Sequence, residues 1–202
     1  MHPDTIEYYN TNAERFISST VEADMGRLLS AFLELIPSGG RILDWGCGSG
    51  RDVLAMTKAG YDVVASDLSG AMADATEALT GLTVHREAFS DLDDVDAFDG
   101  IWASASLLHA KSNELPEIFT KAARALKPGG VLYVSFKLGN FEGERNGRWF
   151  NDMDETALRG IVDGVDSLTI ERAWTSSDVR PERSDEMWLN ALLRKFGKQA
   201  ND

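Results

Sequence analysis

The chain has 202 residues, 43% hydrophobic and 26% charged, enough for one well-buried domain with little left over for a second. Its 33 acidic and 20 basic side chains leave a formal charge of −13, which opposes the clustered Lys and Arg of a phosphate-tracking surface and disfavours nucleic acid and anionic membranes as partners. No apolar run nears the ~18 residues of a bilayer span, the N-terminus does not read as a signal peptide, and the lone Cys47 cannot form an internal disulfide, which fits a reducing, cytoplasmic setting.

In chain order, Thr5 to about Ile36 reads as helical and is expected to cap the strand ends. Arg41 to Trp45 is a buried strand ending at glycines. Arg51 to Ala59 is a helix with Val53, Leu54 and Met56 apolar and Gly60 as its stop. Tyr61 to Ser66 is a second strand, and Ser69 is placed to cap a helix that runs to Leu79 and closes at Gly81. Leu82 to Arg86 gives a third strand and Phe98 to Ala103 a fourth. Asn113 to Leu126 is helical, and Lys127-Pro128-Gly129-Gly130 reads as a stop and turn. Val131 to Phe136 is the most β-like run in the sequence.

Beyond Phe136 the pattern changes. Lys137 to Asp152, rich in Gly, Asn and charge, reads as a long loop on the substrate side. Asp152-Met153-Asp154-Glu155 resembles a capping box that opens a helix to Val162. Ser167 to Trp174 and Met187 to Arg194 are expected to be the last strands. Strand–helix alternation implies parallel strands with right-handed crossovers. The expected fold is an α/β, Rossmann-like, doubly wound and mostly parallel seven-stranded sheet with helices on both faces. A single domain over 1–202 is expected, with residues 1–36 as an N-terminal helical cap. Monomer and homodimer both remain open.

Two features at strand ends carry chemistry. In Asp44-Trp45-Gly46-Cys47-Gly48-Ser49-Gly50 the glycines alternate, and Arg51 stands where a dinucleotide fingerprint would place its third glycine. With Asp44 two residues before the first glycine, the loop suits a ligand bearing a cationic amine and a sulfonium rather than a pyrophosphate. Asp67, directly after the second strand, can accept hydrogen bonds from both hydroxyls of a ribose. A glycine turn that serves only a tight strand–helix connection is the bland alternative for the loop alone.

With these residues on the page, the sequence resembles the class I S-adenosylmethionine-dependent methyltransferases, over about residues 8–137 well and more loosely beyond. Asp44 to Gly50 is similar to the family's first motif and Val64-Ala65-Ser66-Asp67 to its ribose motif. Phe98 to Ala103 through Leu107-Leu108-His109 resembles the strand-four motif, and Ala125 to Leu132 the turn before strand five. Tyr8-Tyr9, Asn12-Ala13 and Phe16 look like the segment that closes over the cofactor. The resemblance is to short bacterial enzymes of the tellurite-resistance and small-molecule type. It implies S-adenosylmethionine as cofactor and S-adenosylhomocysteine as product. Asp44, Gly46, Cys47 and Gly48 would hold the amino-acid end, with Tyr9 covering it. Asp67 would hold the ribose and Leu68 pack beside the adenine, while Ala103 and Ser104 would lie beneath the cofactor. Where the family often has an Asp that bonds adenine, this chain has Ala88, which leaves that recognition to backbone groups and to Phe89.

Methyl transfer from a sulfonium is an in-line displacement, so alignment does much of the work and a base is needed only when the acceptor must lose a proton. The expected function is methylation of a small molecule, at O, N, S or a metalloid. A non-catalytic cofactor-binding sensor or interaction module of the same fold is the alternative. DNA amino-methylation is opposed by Ala103-Ser104-Ala105-Ser106 at the loop after strand four, and Cys47 sits in the cofactor loop rather than as a nucleophile. No Cys/His cluster has metal-ligand spacing, so no metal is expected. His109 is the candidate base, against a packing role, and Tyr9 the candidate acceptor-orienting group. Arg145 and Arg148 are placed either to meet an anionic acceptor or to face solvent. Trp149, Phe150 and Trp188 suit a pocket or the core.

Overall fold

The computed structural model describes residues 2–197. Local side-chain bonds break the N-terminal helical stretch into α1 (Pro3–Thr11), α2 (Ala13–Thr20) and α3 (Gly26–Leu33). Asn12 turns its amide back to the Tyr8 carbonyl at 2.9 Å, and Asp24 Oδ1 takes the Gly26 N–H at 2.8 Å. Such bonds offer the backbone an alternative to the helical ladder. The expected single cap is therefore corrected: α1 and α2 approach the strand ends, but α3 lies on the face of the sheet, where Phe32 packs on Trp102 at 5.2 Å between ring centres.

The elements that follow are β1 (Arg41–Trp45), α4 (Arg51–Lys58), β2 (Asp62–Ser66), α5 (Gly70–Thr80), β3 (Val84–His85), β4 (Phe98–Ala103), α6 (Leu115–Ala125) and β5 (Leu126–Lys137). The chain then forms β6 (Glu142–Arg145), β7 (Arg148–Asn151), α7 (Glu155–Val162), β8 (Leu168–Ser177) and β9 (Met187–Lys195). The main sheet has seven strands in the order β3-β2-β1-β4-β5-β9-β8. The first five are parallel to their neighbours, whereas β9 runs antiparallel to both β5 and β8. This is the doubly wound, mostly parallel sheet expected from the strand–helix alternation, and its order reverses between β1 and β4, where such sheets form their crevice.

Side-chain alternation along the central strands feeds two cores. Leu43, Ile101, Leu132 and Val134 join α6 and α7 on one face. Ile42, Trp102 and Tyr133 join α3 and α4 on the other, and there the Trp102 and Tyr133 rings stack at 3.9 Å. The expected cap at Ser69 forms, with Ser69 Oγ accepting the Met72 N–H. The capping box expected over Asp152–Glu155 does not: Asp154 is the N-cap, its Oδ1 accepting the Ala157 N–H, while Asp152 bonds Arg145 and Glu155 bonds Arg159.

Two further expectations are corrected. Lys127 to Gly130 is not a turn outside the sheet. It bulges within β5, where pairing jumps from Phe98–Leu126 to Gly100–Val131. Residues 137–152 are not a structureless loop either, because β6 and β7 pair antiparallel through an Asn146-Gly147 turn. Both turn residues have positive φ, 52° and 75°, the signature of a two-residue hairpin turn. Among the described residues no helix is long and apolar enough to cross a membrane.

Candidate active site

At the end of β1 the chain turns sharply under Ser106. Gly46 has φ 89°, and a Cβ there would fall 2.5 Å from Ser106 Cβ, so the loop's approach to the strand-four segment demands glycine. The Gly46 and Cys47 amides both donate to the Ser66 carbonyl at 2.9 Å. Gly48 N–H donates to Asp67 Oδ2 at 2.9 Å, and the other Asp67 oxygen accepts from Ser69 N–H at 2.9 Å. One carboxylate thus ties the glycine loop to the start of α5. Burial raises the Asp67 carboxyl, and those two amides pull it back down.

Asp44 lies behind the loop at 3% exposure, and its Oδ2 has no hydrogen-bond partner. Burial holds its carboxyl well above the usual range; Asp52 adds to the rise and Arg51 opposes it. Arg51 grips Asp52 with a fork at 2.7 and 2.8 Å, and Trp102 Nε1 donates to the same carboxylate at 2.9 Å. Arg51 also donates to the Thr20 carbonyl at 3.2 Å, which joins α2 to the head of α4. Cys47 is buried, its thiol raised by burial and by Asp44 and Asp67, so it is no thiolate nucleophile.

The opposite wall is built on α1, the turn after β4 and the hairpin. Ala105 sits in the left-handed region at φ 51°, a strained position for an L-residue, and its N–H is held by Ser135 Oγ at 2.8 Å. That turn presents His109, which is buried. His109 Nδ1 lies 2.6 Å from the Trp149 carbonyl and Nε2 lies 2.8 Å from Tyr9 Oη. A carbonyl only accepts, so Nδ1 carries the proton. Burial lowers the imidazole to about 4, so Nε2 is bare and Tyr9 donates to it. The Tyr9 oxygen is left with lone pairs, one of which meets Arg148 Nη1 at 3.4 Å. Thr5 Oγ1 accepts the Trp149 N–H at 2.9 Å, and Asn10 Oδ1 accepts from Ser69 Oγ at 2.8 Å and Ala71 N–H at 3.2 Å. Helix α1 is therefore fastened both to β7 and to the start of α5.

Between these walls lies a cavity of about 190 Å³. Of the residues singled out in the sequence, Tyr9, Gly46, Cys47, Gly48, Asp67, Ser104 and His109 line it, as do Phe16, Arg148, Phe150 and Trp188. Asp44, Leu68, Ala88, Phe89 and Ala103 lie outside this wall. Ala88 N–H, the backbone donor offered to an adenine, is taken by Asp91 Oδ2 at 2.9 Å, and Phe89 packs edge-on against Trp45 at 5.2 Å. Arg145 is turned aside to Asp152 at 2.5 Å. In the neighbouring acidic stretch 91–96, Asp91 holds the Ala88 amide, Asp93 pairs with Lys121 and Asp96 with Lys195. Sequence reasoning missed Ser135 and, after it, Ser176 to Arg180 with Arg183, which also line the cavity. Nothing local marks either one; they arrive through the pairing of β5 with β9 and of β9 with β8.

A crevice at the reversal of a doubly wound sheet, with an alternating-glycine loop on β1 and a carboxylate ending β2, defines the class I methyltransferase fold. The model of the family described as a methyltransferase domain matches residues 17–179, and the chain belongs to that family. The Bacillus subtilis protein YqeM is 30% identical over 131 residues, 59% of this chain and 52% of that one. The chain spans about half the length of the curated relatives it matches. Among solved structures, the Burkholderia thailandensis 1,6-didemethyltoxoflavin-N1-methyltransferase, with its namesake substrate and S-adenosylhomocysteine bound, superposes with a TM-score of 0.75 at 20% identity, covering 95% of this chain and 85% of that one. A TehB-like methyltransferase from Corynebacterium glutamicum gives 0.71 at 22% identity, covering 96% and 100%.

Proposed function

We propose that the chain transfers a methyl group from S-adenosylmethionine to a small molecule bound between the glycine loop and the Tyr9–His109 pair. The observation that carries this reading is the unpartnered Asp44 Oδ2 behind a glycine loop that is itself tied to Asp67. A buried carboxylate oxygen without a donor is costly, and an ammonium supplies the missing donor. The residues present fit the cofactor. Asp44 and the backbone of Gly46, Cys47 and Gly48 take its amino-acid end, and Asp67, with lone pairs to spare after two amide bonds, takes the ribose. Leu68 borders the adenine side, and Ala103 at the end of β4 and Ser104 just after it support the cofactor. When bound, the cofactor supplies a methyl group on a sulfonium.

The chain's own part is alignment and exclusion of water. Phe16 and Tyr9, from helices fastened down at Thr5, Asn10 and Arg51, close over the loop. The direction of the hydrogen-bond chain fixes what they offer. Because Tyr9 donates to His109, its oxygen presents only lone pairs to a ligand. An acceptor O–H or N–H can donate there, and its proton can pass to Tyr9 Oη as the Tyr9 proton moves to His109 Nε2. With an imidazole lowered to about 4, His109 is a weak base that orients first and takes up a proton second. The buried single cysteine suits a reducing cytoplasm.

Calorimetric titration with S-adenosylmethionine and S-adenosylhomocysteine tests the reading. Both are expected to bind, and Asp67→Ala is expected to weaken S-adenosylhomocysteine by more than about tenfold, ~1.4 kcal/mol. No binding of either at millimolar concentration sinks it. Binding without turnover on a broad acceptor panel favours a sensor or interaction module instead.

A further inference from the structure

The wall of the cavity away from the glycine loop holds more cations than the carboxylates around them neutralise. Lys137 and Arg183 both pair with Glu186, and Arg180 forks onto Asp178 at 2.7 and 2.8 Å. Arg148 is different. Among the described residues it makes no ion pair, its Nε is buried without a partner, and its one hydrogen bond is the 3.4 Å contact with Tyr9 Oη. The guanidinium instead rests on aromatic rings, 4.4 Å from the centre of Tyr8, 5.0 Å from Phe150 and 5.8 Å from Tyr9. In a chain of net charge −13, carboxylates to pair with it are plentiful, and Arg145 of the same hairpin does pair, with Asp152 just beyond the end of β7. A partly desolvated cation with open donors beside a cavity is costly until an anion fills the gap.

We infer that the acceptor is a small organic acid whose carboxylate docks on the Arg148 guanidinium beside Tyr9. The inference rests on the cavity being the acceptor site of a methyltransferase. A planar guanidinium with free N–H groups matches a carboxylate in two-point contact, and Phe150, Phe16 and Trp188 offer an apolar surface to the acid's body. The same guanidinium repels an amine, so cationic acceptors are selected against. Arg148 also helps to keep His109 uncharged, and a bound anion relieves that pressure.

The test uses arginine side-chain NMR on the full chain saturated with S-adenosylhomocysteine, with benzoate and its neutral analogue benzamide as probes. Benzoate is expected to shift the Arg148 Nε–H signal along a saturating curve in the millimolar range. Benzamide should bind at least about tenfold more weakly, ~1.4 kcal/mol. In Arg148→Gln the benzoate preference should vanish while S-adenosylhomocysteine affinity stays within about twofold. The inference is overturned if benzoate up to about 50 mM leaves the Arg148 signal unmoved, or moves it no more than benzamide does. It is equally overturned if Arg148→Gln retains the preference. Should S-adenosylhomocysteine itself fail to bind, the parent reading falls separately, and the benzoate titration of the ligand-free protein still decides the role of Arg148.

Discussion

His109 Nδ1 is committed to the Trp149 carbonyl and Nε2 to Tyr9, so a second ring proton on Nε2 requires the Tyr9 hydroxyl to change from donor to acceptor. Burial lowers its imidazole from 6.5 to about 4. Between those values the unfolded chain binds a proton that the folded chain refuses. This contribution to stability is complete above pH 6.5 and is lost as pH falls toward 4, by about 3 kcal/mol. Urea unfolding of wild type and His109→Gln across pH 4–7 checks this: the wild type should show the steeper loss on acidification, and parallel curves would refute it. No limb of a rate profile between pH 6 and 9 should belong to His109. The side chain was legible in the sequence because it follows strand four. The group that sets its tautomer was not, because a backbone carbonyl forty residues away carries no sequence signal. Arg145 and Arg148 read alike in the sequence, and only the position of Asp152 separates them.

The parallel strands, the helices between them and the capping residue Ser69 were readable because their signals are local: apolar periodicity, a side-chain acceptor and a glycine stop. Three elements escaped for physical reasons. Helices α1 to α3 share one periodic stretch that side-chain bonds at Asn12 and Asp24 interrupt. The Lys127–Gly130 segment has turn residues, yet neighbouring strands absorb it as a bulge. The β6–β7 hairpin has strands of only four residues, the first of them Gly and charge throughout, so it looks like loop, although Asn146-Gly147 is a strong hairpin signal. This last element delivers the Trp149 carbonyl and Arg148 to the site. Gly147 has φ 75°, so Gly147→Val should cost about 1–2 kcal/mol locally. Hydrogen exchange is the measurement: amides of 142–151 should lose about tenfold in protection while those of β1, β4 and β5 keep theirs. Unchanged exchange in the hairpin would mean that the turn does not hold it together.

At the scale of the molecule, the sheet order reverses where β1 and β4 diverge, and the fold places its least comfortable groups there. Asp67, raised by burial, and the left-handed Ala105 line the crevice, and Asp44, also raised by burial, lies behind its glycine loop. For a carboxyl raised in the folded state, stability is greatest below the ordinary value of 3.8 and declines as pH rises through the raised value. Asp44 therefore costs the ligand-free protein stability as pH rises, because its Oδ2 has no donor and its carboxyl lies close to Asp52. Asp44→Asn keeps the shape and removes the charge. It should raise the Tm of the ligand-free protein at pH 8 by about 2–4 °C, the equivalent of ~1 kcal/mol for a chain of this size. The same change should weaken S-adenosylhomocysteine by more than about tenfold, since the ammonium loses its counter-charge. Opposite signs for stability and binding are what a site built for a cationic ligand requires. A lower Tm with unchanged binding would instead assign Asp44 to the scaffold, its negative charge stabilised by Arg51 alone.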